Sequence, residues 1–149
     1  MSYSWDIACA VAESLAAEAA FIGRFTAAAS FDTTEKLPDL AAGAVVTVYP
    51  GEIGEDYIGR SKVAEGHAVR VGLRERPAEA ATFDDAWMAA RLGLLEEIRD
   101  FLRHRELTLA GGEKAVVKKT EIPISWEPTH RRELRQYTGL VLLTVELVR

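Results

Sequence analysis

The sequence predicts an α+β fold: a mainly antiparallel sheet with two helices packed on one face, in the order α-β-β-β-α-β-β. Three observations lead there. Two segments place apolar residues at helical spacing, one near the start of the chain and one in its second half. Other segments alternate with period two, most cleanly His67, Val69, Val71 and Leu73 against Ala68, Arg70, Gly72 and Arg74. The strand-like segments are also grouped between and after the helices, not interleaved one for one. A chain of 149 residues suits a single domain over 1–149.

Each element has its own warrant. Ser4 is read as an N-cap, and Ile7, Val11, Leu15, Ala19 and Ile22 fall near one stripe, which predicts a helix over 5–21 closed by Gly23. Residues 25–31 alternate weakly and read as a strand. The β-branched run 44–49 reads as another, closed by Pro50-Gly51. Residues 50–65 are then either a long loop or the arm of a hairpin. The strand over 67–74 is followed by a break. Thr82-Phe83-Asp84-Asp85 supplies a capping signal for a helix over 83–104, with Leu94, Leu95, Ile98 and Leu102 on its inner stripe. At 22 residues it would run roughly 33 Å, enough to cross a sheet. Gly111-Gly112 predicts a hairpin turn before a strand over 115–121. Pro123 and Pro128 bracket Trp126 in an irregular stretch, Thr129 caps a short turn through Leu134, and residues 136–148 form the strongest strand.

Composition narrows the function. The chain has 18 basic and 23 acidic residues, a net charge of −5, which disfavours coating of nucleic acid. The charge is uneven: residues 1–60 hold three basic and nine acidic residues, whereas 61–149 hold fifteen and fourteen. One cysteine excludes an intrachain disulfide and a multi-cysteine zinc site, and Cys9 is expected to be a small packed thiol in a reducing compartment. The N-terminus has no basic segment followed by an apolar core, and no apolar run approaches the ~20 residues that span a bilayer, so neither secretion nor a membrane is expected.

The chemical motifs are thin. His67, His104 and His130 do not pair at helical spacing, which leaves only a metal site assembled across the fold. Gly59-Arg60-Ser61-Lys62-Val63 lacks the second glycine of a nucleophile elbow. Gly111-Gly112-Glu113-Lys114 lacks phosphate-loop spacing. Glu96, Glu97 and Asp100 share a helix with Arg99 and Arg103 and read as a solvated face. No catalytic residue, cofactor or metal is predicted. Trp5, Trp87 and Trp126 read as core or interface anchors. Arg131, Arg132 and Arg135 form the densest basic cluster, and in an acidic chain that favours a protein contact.

Element order and texture resemble the small tail-terminator and tail-completion (neck) proteins of long-tailed bacteriophages and related prophages. The similar segments are Asp6-Ile7-Ala8-Cys9-Ala10-Val11, the strand ending with Val45, Thr47, Val48, Tyr49 and Pro50, and Val69-Arg70-Val71-Gly72-Leu73 before a helix carrying Leu94-Leu95-Glu96-Glu97-Ile98 and Phe101-Leu102. The last is Glu133-Leu134-Arg135-Gln136-Tyr137 with Leu142-Leu143-Thr144-Val145. The resemblance implies a structural virion protein without catalysis. It would form a homo-oligomeric ring of six subunits that caps the tail tube and meets the head-side connector, after assembly in the host cytoplasm.

Two expectations follow. Acids of residues 1–60 would help line a lumen through which DNA slides. Subunit contacts would fall on 50–65 and 129–135, led by Tyr57, Ile58, Arg60, Arg131 and Arg132. The alternatives are another phage neck or minor tail protein, and a small cytoplasmic α+β binding domain or enzyme, which would need a concave polar pocket.

Overall fold

The computed structural model describes residues 2–33, 43–57, 63–78 and 83–148. It has the α+β architecture expected, with one strand more than the sequence announces. Helix α1 spans Tyr3–Ala17, and its cap is Ser2, not Ser4: the Ser2 hydroxyl accepts from the Trp5 N–H at 3.2 Å. Ser4 is thereby turned inward. The helix also ends earlier than its stripe suggests, because Glu18 is extended and Ala19–Phe21 form a separate 3₁₀ turn. Gly23, at φ +82°, reverses the chain into β1 (Phe25–Ala29). Phe31 falls outside that strand, exposed at 72 %, and stacks on Trp5 with ring centroids 4.6 Å apart.

Strands β2 (Ala44–Tyr57) and β3 (Val63–Glu75) put 50–57 and 63–65 in paired strands, as the hairpin-arm reading has it, while 58–62 lie outside the described residues. The sequence expectation that Pro50-Gly51 closes the strand is wrong. The β2–β3 register shifts between Pro50 and Ile53 and then resumes to Tyr57 opposite Val63. Proline is tolerated at such irregularities. Gly51 has a packing reason, since a Cβ there would stand 2.2 Å from the Arg70 Nη1 and 3.1 Å from the Ala68 Cβ.

Helix α2 spans Asp85–Leu102, capped by Asp84, whose Oδ1 accepts from the Trp87 N–H at 2.8 Å. His104, in the left-handed region at φ 58°, turns the chain into β4 (Glu106–Thr108), the strand the sequence does not announce. Gly112, at φ +90°, sits in the predicted hairpin turn before β5 (Lys114–Ile124). A π-helical turn over His130–Leu134 lacks a side-chain cap from Thr129, contrary to the sequence reading, and β6 (Tyr137–Val148) follows.

The sheet order is β1-β2-β3-β6-β5-β4. Every neighbouring pair is antiparallel except β1–β2, which is parallel. Alternation puts Val46, Val48, Val69, Val71, Leu73, Val141, Leu143 and Val145 on one buried face. Helix α1 lies over β1 and β2, and α2 over β5 and β6, so both close the same core. The opposite face carries half-buried Tyr49, Arg70, Arg74, Leu140 and Leu142. β3 runs the length of the sheet, with Glu75 opposite Tyr137 at one end and Ala64 opposite Val148 at the other. That is about 40 Å at ~3.4 Å per residue. No helix among the described residues is long and apolar enough to cross a membrane.

Candidate functional site

The Arg131/Arg132 cluster stands at the Glu75–Tyr137 end of the sheet. β5 stops at Ile124, and the chain passes Trp126 and Pro128 into the π-helical turn. Arg135 then adopts a left-handed conformation, φ 50°, and returns the chain to β6. The segment is pinned from below. The Glu127 N–H donates to the Thr138 carbonyl at 3.0 Å, His130 Nδ1 lies 2.9 Å from the Thr138 hydroxyl, and the Gln136 side chain is wholly buried. The Tyr137 hydroxyl donates to the Ser125 carbonyl, and burial pushes this phenol far above its ordinary pKa. The upper surface of the segment is open.

That surface forms a groove of about 560 Å³ with Pro77, Phe83, Trp126 and Pro128 as its apolar lining and Arg131, Arg132 and Arg135 as its charges. Trp126 is 45 % exposed. The Arg131 guanidinium sits 5.1 Å from the Phe83 ring centroid, a cation–π geometry that holds it over the groove. A smaller hollow of about 190 Å³ shares Trp126 and Arg131 and reaches Asp85, Met88, Ala89 and Leu92 on α2. Among the described residues, none of the three arginines makes an ion pair. An exposed tryptophan beside unpaired arginines is the composition of a protein interface centre.

The other expected contact residues fare differently. The backbone of Tyr57 ends β2, whereas Ile58 and Arg60, with the Gly59-Arg60-Ser61 motif, lie outside the described residues. β1 pairs with β2 only over Ala44–Val48, so β2 has no partner strand on its outer side from Gly51 onward among the described residues. On that stretch Glu52 is exposed, and Ile53 is 61 % exposed. Of the acids expected to line a lumen, Asp6 and Glu13 lie on α1, Glu18 follows it, and Asp32 and Glu52 lie beyond.

One constellation escaped the sequence reading. The Ser4 hydroxyl lies 2.7 Å from His67 Nδ1, and His67 Nε2 lies 3.4 Å from Glu65 Oε1. A serine, a histidine and a carboxylate in a row have the makings of a nucleophile. Their burial decides otherwise: Ser4 is 9 %, Glu65 7 % and His67 2 % exposed, so a substrate has no route to the hydroxyl. The chain of contacts ties α1 to β3 by satisfying polar groups inside the core. The only sequence signal was a histidine at an inward position of an alternating strand.

Other chemistry is muted. Cys9 is half-buried, and its thiol is pushed up by burial and then by Glu13 and Asp6, the opposite of activation. Glu97 accepts both prongs of Arg24 at 2.6 and 3.2 Å, while Asp100 meets Arg99 and Arg103, so these two acids of α2 form ion pairs. Among the described residues no cluster of three metal-ligating side chains occurs. The opposite sheet face does hold a polar hollow of about 330 Å³, lined by Thr47, Tyr49, Arg74, His130 and Thr138 among others. Burial lowers the Arg74 pKa, the mark of a partly desolvated cation, and its Nη2 donates to the Thr47 hydroxyl at 3.3 Å. No protein-family model matches this chain, and no curated protein matches it significantly.

Proposed function

We propose that this protein is a structural building block of a phage tail, a ring-forming subunit like a tail terminator. Its rings cap the tail tube and meet the head-side connector, with DNA only passing through the lumen. The observation that carries the reading is the groove: an exposed Trp126 flanked by unpaired Arg131 and Arg132 on a rigid turn. Such a surface suits a copy-to-copy or copy-to-tube contact better than it suits chemistry. The Ser4–His67–Glu65 contact, closed to solvent, gives an enzyme reading no accessible nucleophile. A virion location and a hexameric state belong to the same proposal.

Native mass spectrometry with negative-stain imaging of the purified chain tests it. Rings with a central hole are expected. A second reading, a small binding domain, is favoured by the Arg74 hollow on the opposite sheet face. A chain that stays monomeric, and that small carboxylates or phosphate stabilise against heat, supports that second reading and overturns the first.

A further inference from the structure

We infer that the groove receives the outer β2 edge of a second copy of this chain, with Ile53 in the apolar lining and Glu52 against the arginines. The inference rests on the assembly reading above and names which surfaces meet. The first ground is charge. The groove's charged lining is wholly cationic, Arg131, Arg132 and Arg135. The β2 stretch reads Gly51-Glu52-Ile53-Gly54-Glu55-Asp56 and carries three acids and no base. Glu52 makes no ion pair among the described residues.

The second ground is apolar. Ile53 is 61 % exposed and Trp126 45 %, two of the large apolar side chains the chain leaves most open. Ile53 adjoins Glu52 and Trp126 lines a groove whose charged side chains are three arginines, so docking would bury both apolar side chains while pairing Glu52 with the arginines.

The third ground is placement. Ile53 stands opposite His67, whereas the groove lies beyond Glu75, at the other end of β3. Eight residues of strand at ~3.4 Å separate them by about 27 Å. The edge cannot reach the groove of its own chain. Two complementary surfaces at opposite ends of one rigid sheet define a head-to-tail contact, which propagates and closes into a ring when the rotation allows. A two-fold dimer could also set each copy's edge in the other's groove, but it would stop at two copies, so a wild type that stops at the dimer overturns the head-to-tail contact.

The head-to-tail geometry gives a decisive mixing experiment. Two variants are made, one with Arg131→Glu and Arg132→Glu, the other with Glu52→Gln and Ile53→Ser. Both must keep the wild-type circular dichroism and unfolding midpoint, as surface changes should. Native mass spectrometry is then run at matched concentrations up to about millimolar, a range that detects contacts of about −4 kcal/mol or stronger. The wild type is expected to assemble beyond the dimer and each variant alone to be monomeric. An equimolar mixture should give a dimer and nothing larger, because only one intact edge and one intact groove remain per pair. If the wild type assembles and the variants assemble equally well, this docking is overturned while the ring reading stands on other surfaces. A wild type that remains monomeric throughout overturns both.

Discussion

The Ser4–His67–Glu65 contact and the Trp126–Arg131–Arg132 groove use residue types of similar polarity to opposite ends. The first is sealed between α1 and β3, each polar atom facing a partner inside the chain. The second sits on a turn whose underside is hydrogen-bonded and whose upper side offers cations without acids. Buried polar groups must find partners within the fold, because an unmade hydrogen bond costs more than a made one gains. Exposed arginines are under no such demand, since water solvates them until something better arrives. The difference teaches that reactivity read from residue types alone misleads here. The triad that looks chemical is structural, and the cluster that looks like ordinary surface is the place to seek function.

Substitutions sharpen that contrast in order of effect. His67→Ala is expected to cost about 3 kcal/mol, because it opens a hole and strands the Ser4 hydroxyl in the core. Urea unfolding would show it, and a loss below 1 kcal/mol would mean that the contact is not closed. Gly139→Ala comes next at roughly 1–3 kcal/mol. A Cβ there would stand 2.6 Å from the Tyr137 hydroxyl and 2.8 Å from the Leu95 Cδ2. The thermal midpoint should fall.

The Arg24–Glu97 pair yields a smaller effect tied to pH. The hydrogen bond from Arg24 holds the Glu97 carboxyl below its ordinary value of 4.5. A carboxyl depressed in the folded state stabilises above its unfolded pKa and loses that contribution as pH falls through the folded one. The loss therefore begins near pH 4.5 and grows below it, and Glu97→Gln should flatten that part of the stability curve. Both side chains are about half exposed, at 42 % and 53 %, so solvent screening keeps the change to a few tenths of a kcal/mol. Smallest of all is Arg132→Glu, expected within about 0.5 kcal/mol of wild type in unfolding. Should it destabilise the monomer as strongly as His67→Ala, the groove would be part of the fold and not a surface held in reserve.

What sequence could reveal depended on range. The alternation in β6, the inner stripe of α2 and the Gly111-Gly112 turn are local patterns, and each lies where the pattern put it. β2 was cut short because Pro50-Gly51 is ordinarily a terminator. Here the register irregularity accommodates the proline, and Gly51 makes room for the Arg70 side chain. β4 was missed because three residues carry too little periodicity to register. The Ser4–His67 contact joins positions 63 residues apart, which local patterning does not encode. Ser2 and Ser4, two positions apart, both satisfy the capping rule, and only the fold shows that Ser2 caps the helix while Ser4 faces His67. The arginine cluster was legible as charge, but its companions Pro77, Phe83 and Trp126 come together only through the fold.

The middle of the sheet also sets the pace at which this molecule is made. The β2–β3 and β4–β5 hairpins close between neighbours in sequence, but β3 pairs with β6 across 62 residues at one end, Glu75 to Tyr137, and 84 at the other, Ala64 to Val148. Closing such large loops is entropically expensive, and topologies dominated by distant pairings fold slowly. Until that ladder forms, each hairpin shows an unpaired edge to every other chain in the vicinity. The hazard grows with the concentration of newly made chains, so low temperature and dilution should improve the yield of folded chain.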